Sequence, residues 1–319
     1  MPSLNVEHVG GRVVIRLNAG VRDGRPRLTD VLGELLEISD RSLLIRRDDG
    51  TDLKIDIEAV VAAKPVPPRP VRFSAIAELE RVASAQWPAP ESEWLGDWQL
   101  RAAGGWTFRA NTALAVGDPG RPLEDAVEYV TDWYGSRGLP AVFSLPFPLS
   151  RRLDADLEKM GWTEDGERTK VLTRELADWS RPARTDLAAV QVGSAPSVGW
   201  LDLVSKRKGG LPQIALSILA GAPKSGFASL WEDGELIAIG RGAVSAGWLG
   251  VSLVEVVPGA RRRGAATHLL DGLITWARPL GAERCYLQVV AANEPALALY
   301  HRAGFTDHHE YGYRRLSAS

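Results

Sequence analysis

Apolar and polar positions alternate along roughly the first sixty residues. Short strand-like runs fall at Val13–Leu17, Val31–Ile38, Ser42–Arg47 and Thr51–Ile57. Asp49-Gly50, between the last two, is a hairpin turn signal. Ala19–Leu28, with its Gly, Arg and Pro, reads as a loop. About five strands in so short a stretch predict a small β-barrel over residues 1–63. Four prolines in residues 64–72 predict a stiff linker.

The period then lengthens. Ser74–Trp87 has helical spacing with Ser74 as N-cap, and Trp98–Ala102 and Thr107–Val116 read as strands. Leu123–Gly138 is an amphipathic helix ending in glycine, followed by strand Ala141–Pro146, helix Leu153–Trp162 and strand Thr169–Leu176. Residues 185–319 have the same grammar. Phe227–Val244 folds back at Asp233-Gly234, and Trp248–Val257 is a strand. Helix Ala265–Gly281, strand Cys285–Val290, helix Pro295–Phe305 and strand Tyr311–Leu316 follow. Trp133 and Gly138 recur as Trp276 and Gly281, and Gly161-Trp162 as Gly304-Phe305. The offset is constant, 276 − 133 = 305 − 162 = 143. Such self-similarity reads as duplication of one unit, at residues 73–180 and 181–319. The expected class is α+β: a small barrel, then two tandem α/β units with mixed central sheets.

Composition narrows the function. Of 319 residues, 45% are hydrophobic and 24% charged, which fits a globular protein and excludes wholesale disorder. No apolar run is long enough to span a bilayer. The start, MPSLNVEHVGG, has no basic or apolar region of a signal peptide, so the expected compartment is the cytoplasm. One cysteine, Cys285, excludes an internal disulfide framework and reads as a buried residue. Net charge is −2; residues 66–179 are acidic by about five and 180–319 basic by about four, which reads as solvated surface. In residues 1–65 eleven acids offset ten bases, among them Arg22, Arg25, Arg27, Arg46 and Arg47, which argues against nucleic acid. Trp87, Trp94, Trp98 and Trp106 read chiefly as packing residues, and the histidines form no ligand set, His308-His309 reading as surface. No metal is expected.

The chemistry gathers near the C-terminus. Strand residues through Val257 run into Arg261-Arg262-Arg263-Gly264-Ala265-Ala266 and then a helix. A helix start offers unpaired N–H groups and positive dipole charge, glycine allows close approach, and arginines suit phosphates. The spacing is neither a Walker loop nor a dinucleotide fingerprint. Downstream, Asn293 precedes a helix with Ala296 and Tyr300, then Gly304-Phe305.

Together these residues resemble the GNAT acyltransferase superfamily. Its Arg/Gln-x-x-Gly-x-Gly/Ala loop is matched by Arg261, Gly264 and Ala266, and its later Asn…Ala-x-x-x-Tyr…Gly-Phe motif by the residues just named. The tandem layout is like that of mycothiol synthase, and an SH3-like barrel ahead of the acyltransferase part is similar to an actinobacterial GNAT type. The resemblance implies acetyl-CoA as acyl donor. Amides from Arg262, Arg263, Gly264, Ala265 and Ala266 to Thr267 would hold its pyrophosphate. The strand at Val256 and Val257 would pair with the pantetheine arm, Asn293 and Ala296 would border it, and Tyr300 would stand near the sulfur. Tyr300 is then the candidate acid and Glu255 the candidate base. Glu255 alternates out of phase with Val254 and Val256 on an otherwise apolar strand. Many relatives carry a glutamate on the following strand, where this chain has Gln288. Lys206, Arg207 and Lys208 would border the acceptor site. The offset of 143 puts Asp118–Leu123, Ser150 and Leu157 at the equivalent places of the first unit, so only the second unit looks equipped.

The expected activity is N-acetyl transfer from acetyl-CoA directly to a primary amine of a small molecule or protein, in a monomer or homodimer. The alternative is a non-catalytic acyl-CoA sensor whose barrel binds nucleic acid or peptide.

Overall fold

The computed structural model describes residues 4–22, 25–67, 70–180 and 184–316. The chain divides into two units, Met1–Pro70 and Val71–Ser319.

In the first unit, strands β1 (Arg12–Arg22), β2 (Arg25–Ile38), β3 (Ser42–Arg47), β4 (Asp52–Asp56) and β5 (Val60–Pro65) form an antiparallel sheet in the order β4-β3-β2-β1-β5. Val13, Ile15, Leu35, Leu43 and Ile45 point to one buried face, as their period of two requires. The ladder ends at β4 and β5 with no closing pair among the described residues, so this is a five-stranded sheet rather than the closed barrel expected. The expected loop at Ala19–Leu28 is instead the arm of a long hairpin, paired as far as Arg22↔Arg25 with a bulge between Asn18 and Val21. Arg16 and Asp30 face each other across it in a two-pronged ion pair at 2.8 and 2.9 Å. Asp23 and Gly24, the side chains of residues 21–26, and linker residues Pro68 and Arg69 lie outside the described residues.

The second unit begins with α1 (Phe73–Gln86), β6 (Glu91–Leu95), β7 (Trp98–Ala102) and β8 (Ala113–Leu114). Then come α2 (Leu123–Gly135), β9 (Val142–Phe147), α3 (Arg151–Lys159), β10 (Trp162–Glu164) and β11 (Thr169–Glu175). Its second half runs β12 (Gln191–Gly193), α4 (Val198–Lys208), α5 (Ala215–Leu219), β13 (Ser225–Glu232), β14 (Glu235–Ser245) and β15 (Trp248–Val256). It closes with α6 (Ala265–Ala277), β16 (Arg284–Val290), α7 (Glu294–Arg302) and β17 (Thr306–Leu316). All these strands join one sheet, β12-β13-β14-β15-β16-β11-β17-β9-β8-β7-β6, with β10 paired to β17. It is mixed: β15–β16 and β8–β9 are parallel and the other pairs antiparallel.

Some element ends recur at the spacing seen in the sequence. α3 and α7 match end to end, 294 − 151 = 302 − 159 = 143, and β9 and β16 end 290 − 147 = 143 apart. The halves trade their last strands. β11 pairs with β16 of the second half, β17 pairs with β9 of the first, and β11 and β17 pair with each other. Gln86, at the end of α1, is a buried polar hub between the halves. Its amide donates to Ser245 Oγ and Trp248 O, both at 3.0 Å, and its oxygen accepts from Tyr286 Oη at 3.0 Å.

Three local expectations change. Arg72, not Ser74, is the N-cap of α1, without a side-chain cap bond. Thr107–Val116 is not one strand: Phe108–Ala110 is a 3-10 turn, and only Ala113–Leu114 is extended. Asn111 imposes this, its buried oxygen accepting from Ala103 N (2.8 Å) and Gly105 N (2.9 Å) while its amide donates to Thr107 O (2.8 Å). Nor is the His308-His309 pair surface. β17 is an interior strand beneath α1, and His309 is buried against the buried Glu80 at 2.8 Å. Burial pushes His308 down to about 4, so it is neutral near pH 7.

Candidate active site

The site starts where two parallel strands part. β15 and β16 pair from Trp248↔Arg284 to Val251↔Leu287, and the pairing stops there although both strands continue. On the other edge of β15 a bulge intervenes. Ile239 faces Glu255 and Arg241 faces Ser252, so Gly240 alone opposes Leu253 and Val254. Leu253 takes a left-handed φ of 54°. Gly240 is required by α6: a Cβ there would stand 2.4 Å from Leu269 Cδ2. Between the diverging strands Ser252 Oγ is buried with no hydrogen-bond partner among the described residues.

At the wide end of this opening the chain turns through Arg261–Gly264 into α6. Gly264 is the N-cap at φ 80° and gives no side-chain cap; the first helical bond runs from His268 N to Gly264 O. Arg262 is also left-handed, φ 60°. Among the described residues no side chain caps the first turn of α6, a geometry suited to an anion. Arg184 covers this loop, donating to Arg263 O at 2.9 Å, with Nη1 only 2.3 Å from where a Cβ on Gly264 would lie. Asp186 holds Arg184, whose hydrogen bonds pull that carboxyl down to about 2. Arg263 is held by Glu232 at 2.8 and 2.5 Å. Arg261 donates to Val256 O at 3.1 Å and reaches Glu255 at 3.4 Å.

A cavity of about 420 Å³ occupies the opening. Val251–Val254 and Leu287–Val290 form two sides, and α7 contributes Ala296 and Tyr300, with Asn293 at its cap. β17 adds Tyr311 and Tyr313, and the first half adds Trp87 and Thr107–Arg109. Tyr300 is 8% exposed, and burial lifts its phenol to about 12. Asn293 caps α7, its oxygen accepting from Ala296 N at 3.3 Å. Gln288 accepts from Arg109 and, at 3.4 Å, from Tyr311 Oη. Glu255 does not line the cavity. Its carboxylate, 20% exposed, pairs with Arg207 and Arg261 at the cavity's edge. Arg207 lines the cavity and lies 3.4 Å from Val254 O, whereas the side chain of Lys208 lies outside the described residues. At the places equivalent to Asn293 and Tyr300, the first half has the buried Ser150 and Leu157.

Residues 73–314 match the family described as probable histone acetyltransferase Rv0428c, C-terminal, and residues 7–64 match its N-terminal Sm-like domain. The chain belongs to this GNAT N-acetyltransferase family. It is an acyltransferase. Its first unit matches an Sm-like domain. The chain is 30% identical to the probable histone acetyltransferase Rv0428c of Mycobacterium tuberculosis, over 96% of this chain and 94% of that one. It is also 30% identical to the uncharacterized N-acetyltransferase YobR of Bacillus subtilis, over 75% of this chain and 98% of that protein. Among solved structures, a GCN5-related N-acetyltransferase from Kribbella flavida shares the fold at TM-score 0.58 and 18% identity, covering 76% of this chain and 96% of that one.

Sequence reasoning missed Arg184 and Arg109. Arg184 is 80 residues from the loop it covers, and Arg109 sat in a presumed strand; no local pattern marks either as a site residue.

Proposed function

We propose that this acyltransferase uses acetyl-CoA to acetylate a primary amine directly. The observation that carries the reading is the cavity between the parted strand edges with Tyr300 inside, beyond which β15 leads into the uncapped helix start at Arg261–Gly264. The orphaned Ser252 Oγ between those edges also fits a polar arm lying there. The amides of Arg262 to Thr267 take the pyrophosphate, and the edge of β15 from Ser252 to Val257 takes the pantetheine arm, beside Asn293 and Ala296. Arg261 and Arg207 now hold the carbonyls of Val256 and Val254. In this reading Arg261 leaves its carbonyl for a phosphate as the donor enters.

The amine nitrogen attacks the thioester carbon, and N–H groups of the bulged strand stabilise the oxyanion. The C–S bond breaks, Tyr300 donates to the departing sulfur, and the nitrogen gives up one proton, so the products are an amide and a thiol. Glu255 accepts that proton through water, since its carboxylate lies at the cavity's edge. The tandem reading also belongs here: the second half is the working GNAT unit, and the first is a degenerate copy that completes its sheet and walls its acceptor side.

Isothermal titration of acetyl-CoA against the whole chain and Gly264→Val tests the donor site. The variant forces a side chain into a left-handed position already filled by Arg184. Tight binding by the parent, lost in a variant with an unchanged circular dichroism spectrum, is expected. No binding by the parent sinks the reading.

A further inference from the structure

The acceptor end of the cavity is cationic. Arg109 enters it from the 3-10 turn of the first half, held by the neutral Gln288 and lying 4.9 Å from the Trp87 ring centroid. Among the described residues Arg109 makes no ion pair. Behind Trp87 stands a second guanidinium, Arg241, 5.1 Å from the same ring and 2% exposed. Its partners are also neutral: Leu219 O at 2.7 Å, Gln86 O at 2.9 Å and Ser225 Oγ at 3.3 Å. Burial, and the charge of Arg109 beside it, lower its pKa to about 10, so it stays charged at neutral pH. The second cation on the lining, Arg207, is already neutralised by Glu255. The one carboxylate on the lining, Glu167, is exposed. Glu80, the buried acid on α1, is taken by His309.

A half-buried arginine with no counter-ion repels ammonium groups and favours a planar anion that its donors can grip. The walls beside it are aromatic, with Phe108 tilted against Tyr313 at 5.1 Å between centroids. We infer that the acceptor is a primary amine bearing a carboxylate and an apolar or aromatic body, the carboxylate being gripped by Arg109. Polycationic acceptors such as polyamines or lysine-rich peptides are disfavoured. This inference rests on the acetyl-transfer reading and adds the class of acceptor. Arg109 touches the acceptor away from the reacting atoms, so it governs acceptor KM rather than the chemical step: the acceptor nitrogen still bonds to the acetyl carbon and loses a proton, while the sulfur leaves and gains one.

The experiment follows thiol release from acetyl-CoA by the full chain. L-Phenylalanine, L-leucine, β-alanine and 4-aminobenzoate are each compared with their amides, and spermidine serves as polycation. At least one acid is expected to exceed its amide about tenfold or more in kcat/KM, with spermidine inert. In Arg109→Gln the acid's KM should rise about tenfold or more and the preference over the amide should vanish, with the affinity for acetyl-CoA unchanged. Arg109→Lys, which keeps the charge but not the fork, should lie between. If acetyl-CoA binds but amides or spermidine react as well as the acids, or no acid reacts, the charge inference is overturned and the donor assignment stands. If acetyl-CoA does not bind, the acetyl-transfer reading itself has failed.

Discussion

In the proposed mechanism two side chains divide the proton work. The buried phenol of Tyr300, lifted to about 12, is protonated throughout the neutral range and is present as a donor when charge develops on sulfur. A phenol with a pKa above that of a thiol donates a hydrogen bond more readily than a whole proton, so its contribution to the rate is moderate. Tyr300→Phe should lower kcat by about 10²-fold, within the usual range for a positioned acid, and leave acetyl-CoA affinity within about twofold. The sign of the pH effect follows from the upward shift. The donor form is lost only as pH rises through about 12, so kcat should show no fall attributable to Tyr300 below about pH 10. A fall centred near 9, absent from the Phe variant, contradicts this. Glu255→Gln separates the two functions of that carboxylate. A base lowers kcat when removed, whereas a mere anchor for Arg207 and Arg261 changes donor affinity with kcat intact; the second outcome removes Glu255 from the chemistry.

Single elements then show what can be read locally. The loop before α6 was legible because its glycine and arginines serve the local backbone, at Gly264 above all, and α7 because Asn293 caps it and Pro295 opens it. Thr107–Val116 was illegible for a physical reason. Its apolar alternation suits a strand, but three hydrogen bonds from Asn111 outweigh that preference and turn the chain at Phe108–Ala110. That turn brings Arg109 to the cavity. Asn111→Ala leaves two backbone N–H groups of the loop without their partner, at a cost of about 2–3 kcal/mol. The melting temperature should drop by roughly 5 °C or more. The acceptor KM should rise while the affinity for acetyl-CoA holds, since the donor loop belongs to other elements. A donor affinity that falls in step with the acceptor's contradicts the separation. His309 was misread for a related reason: its neighbour Glu80 is 229 residues away, and no window along the chain joins them.

Over the molecule the governing feature is the trade of terminal strands, and local pattern could not show it. The 143-residue offset reads as two copies, and each copy read alone calls for its own last strand beside its own sheet. Register between strands is set by partners far apart in sequence. Here β16 takes Thr169–Glu175 of the other half, and β9 takes Glu310–Arg315. The second half carries the donor loop and Tyr300, yet lacks a neighbour for β16 on one side and for β17 on both. It also lacks the Gln86 hub, so Trp248 O and Tyr286 Oη lose their partner and Arg241 loses one of its acceptors. Residues 181–319 expressed alone should therefore be insoluble or show no cooperative unfolding, because open edges and unpaired buried polar groups together exceed the few kcal/mol by which a domain is stable. Co-expression with residues 71–180 should restore a 1:1 complex that unfolds in one transition and binds acetyl-CoA. A soluble second half that melts cooperatively and binds the donor alone would mean that the exchanged strands merely decorate two independent units.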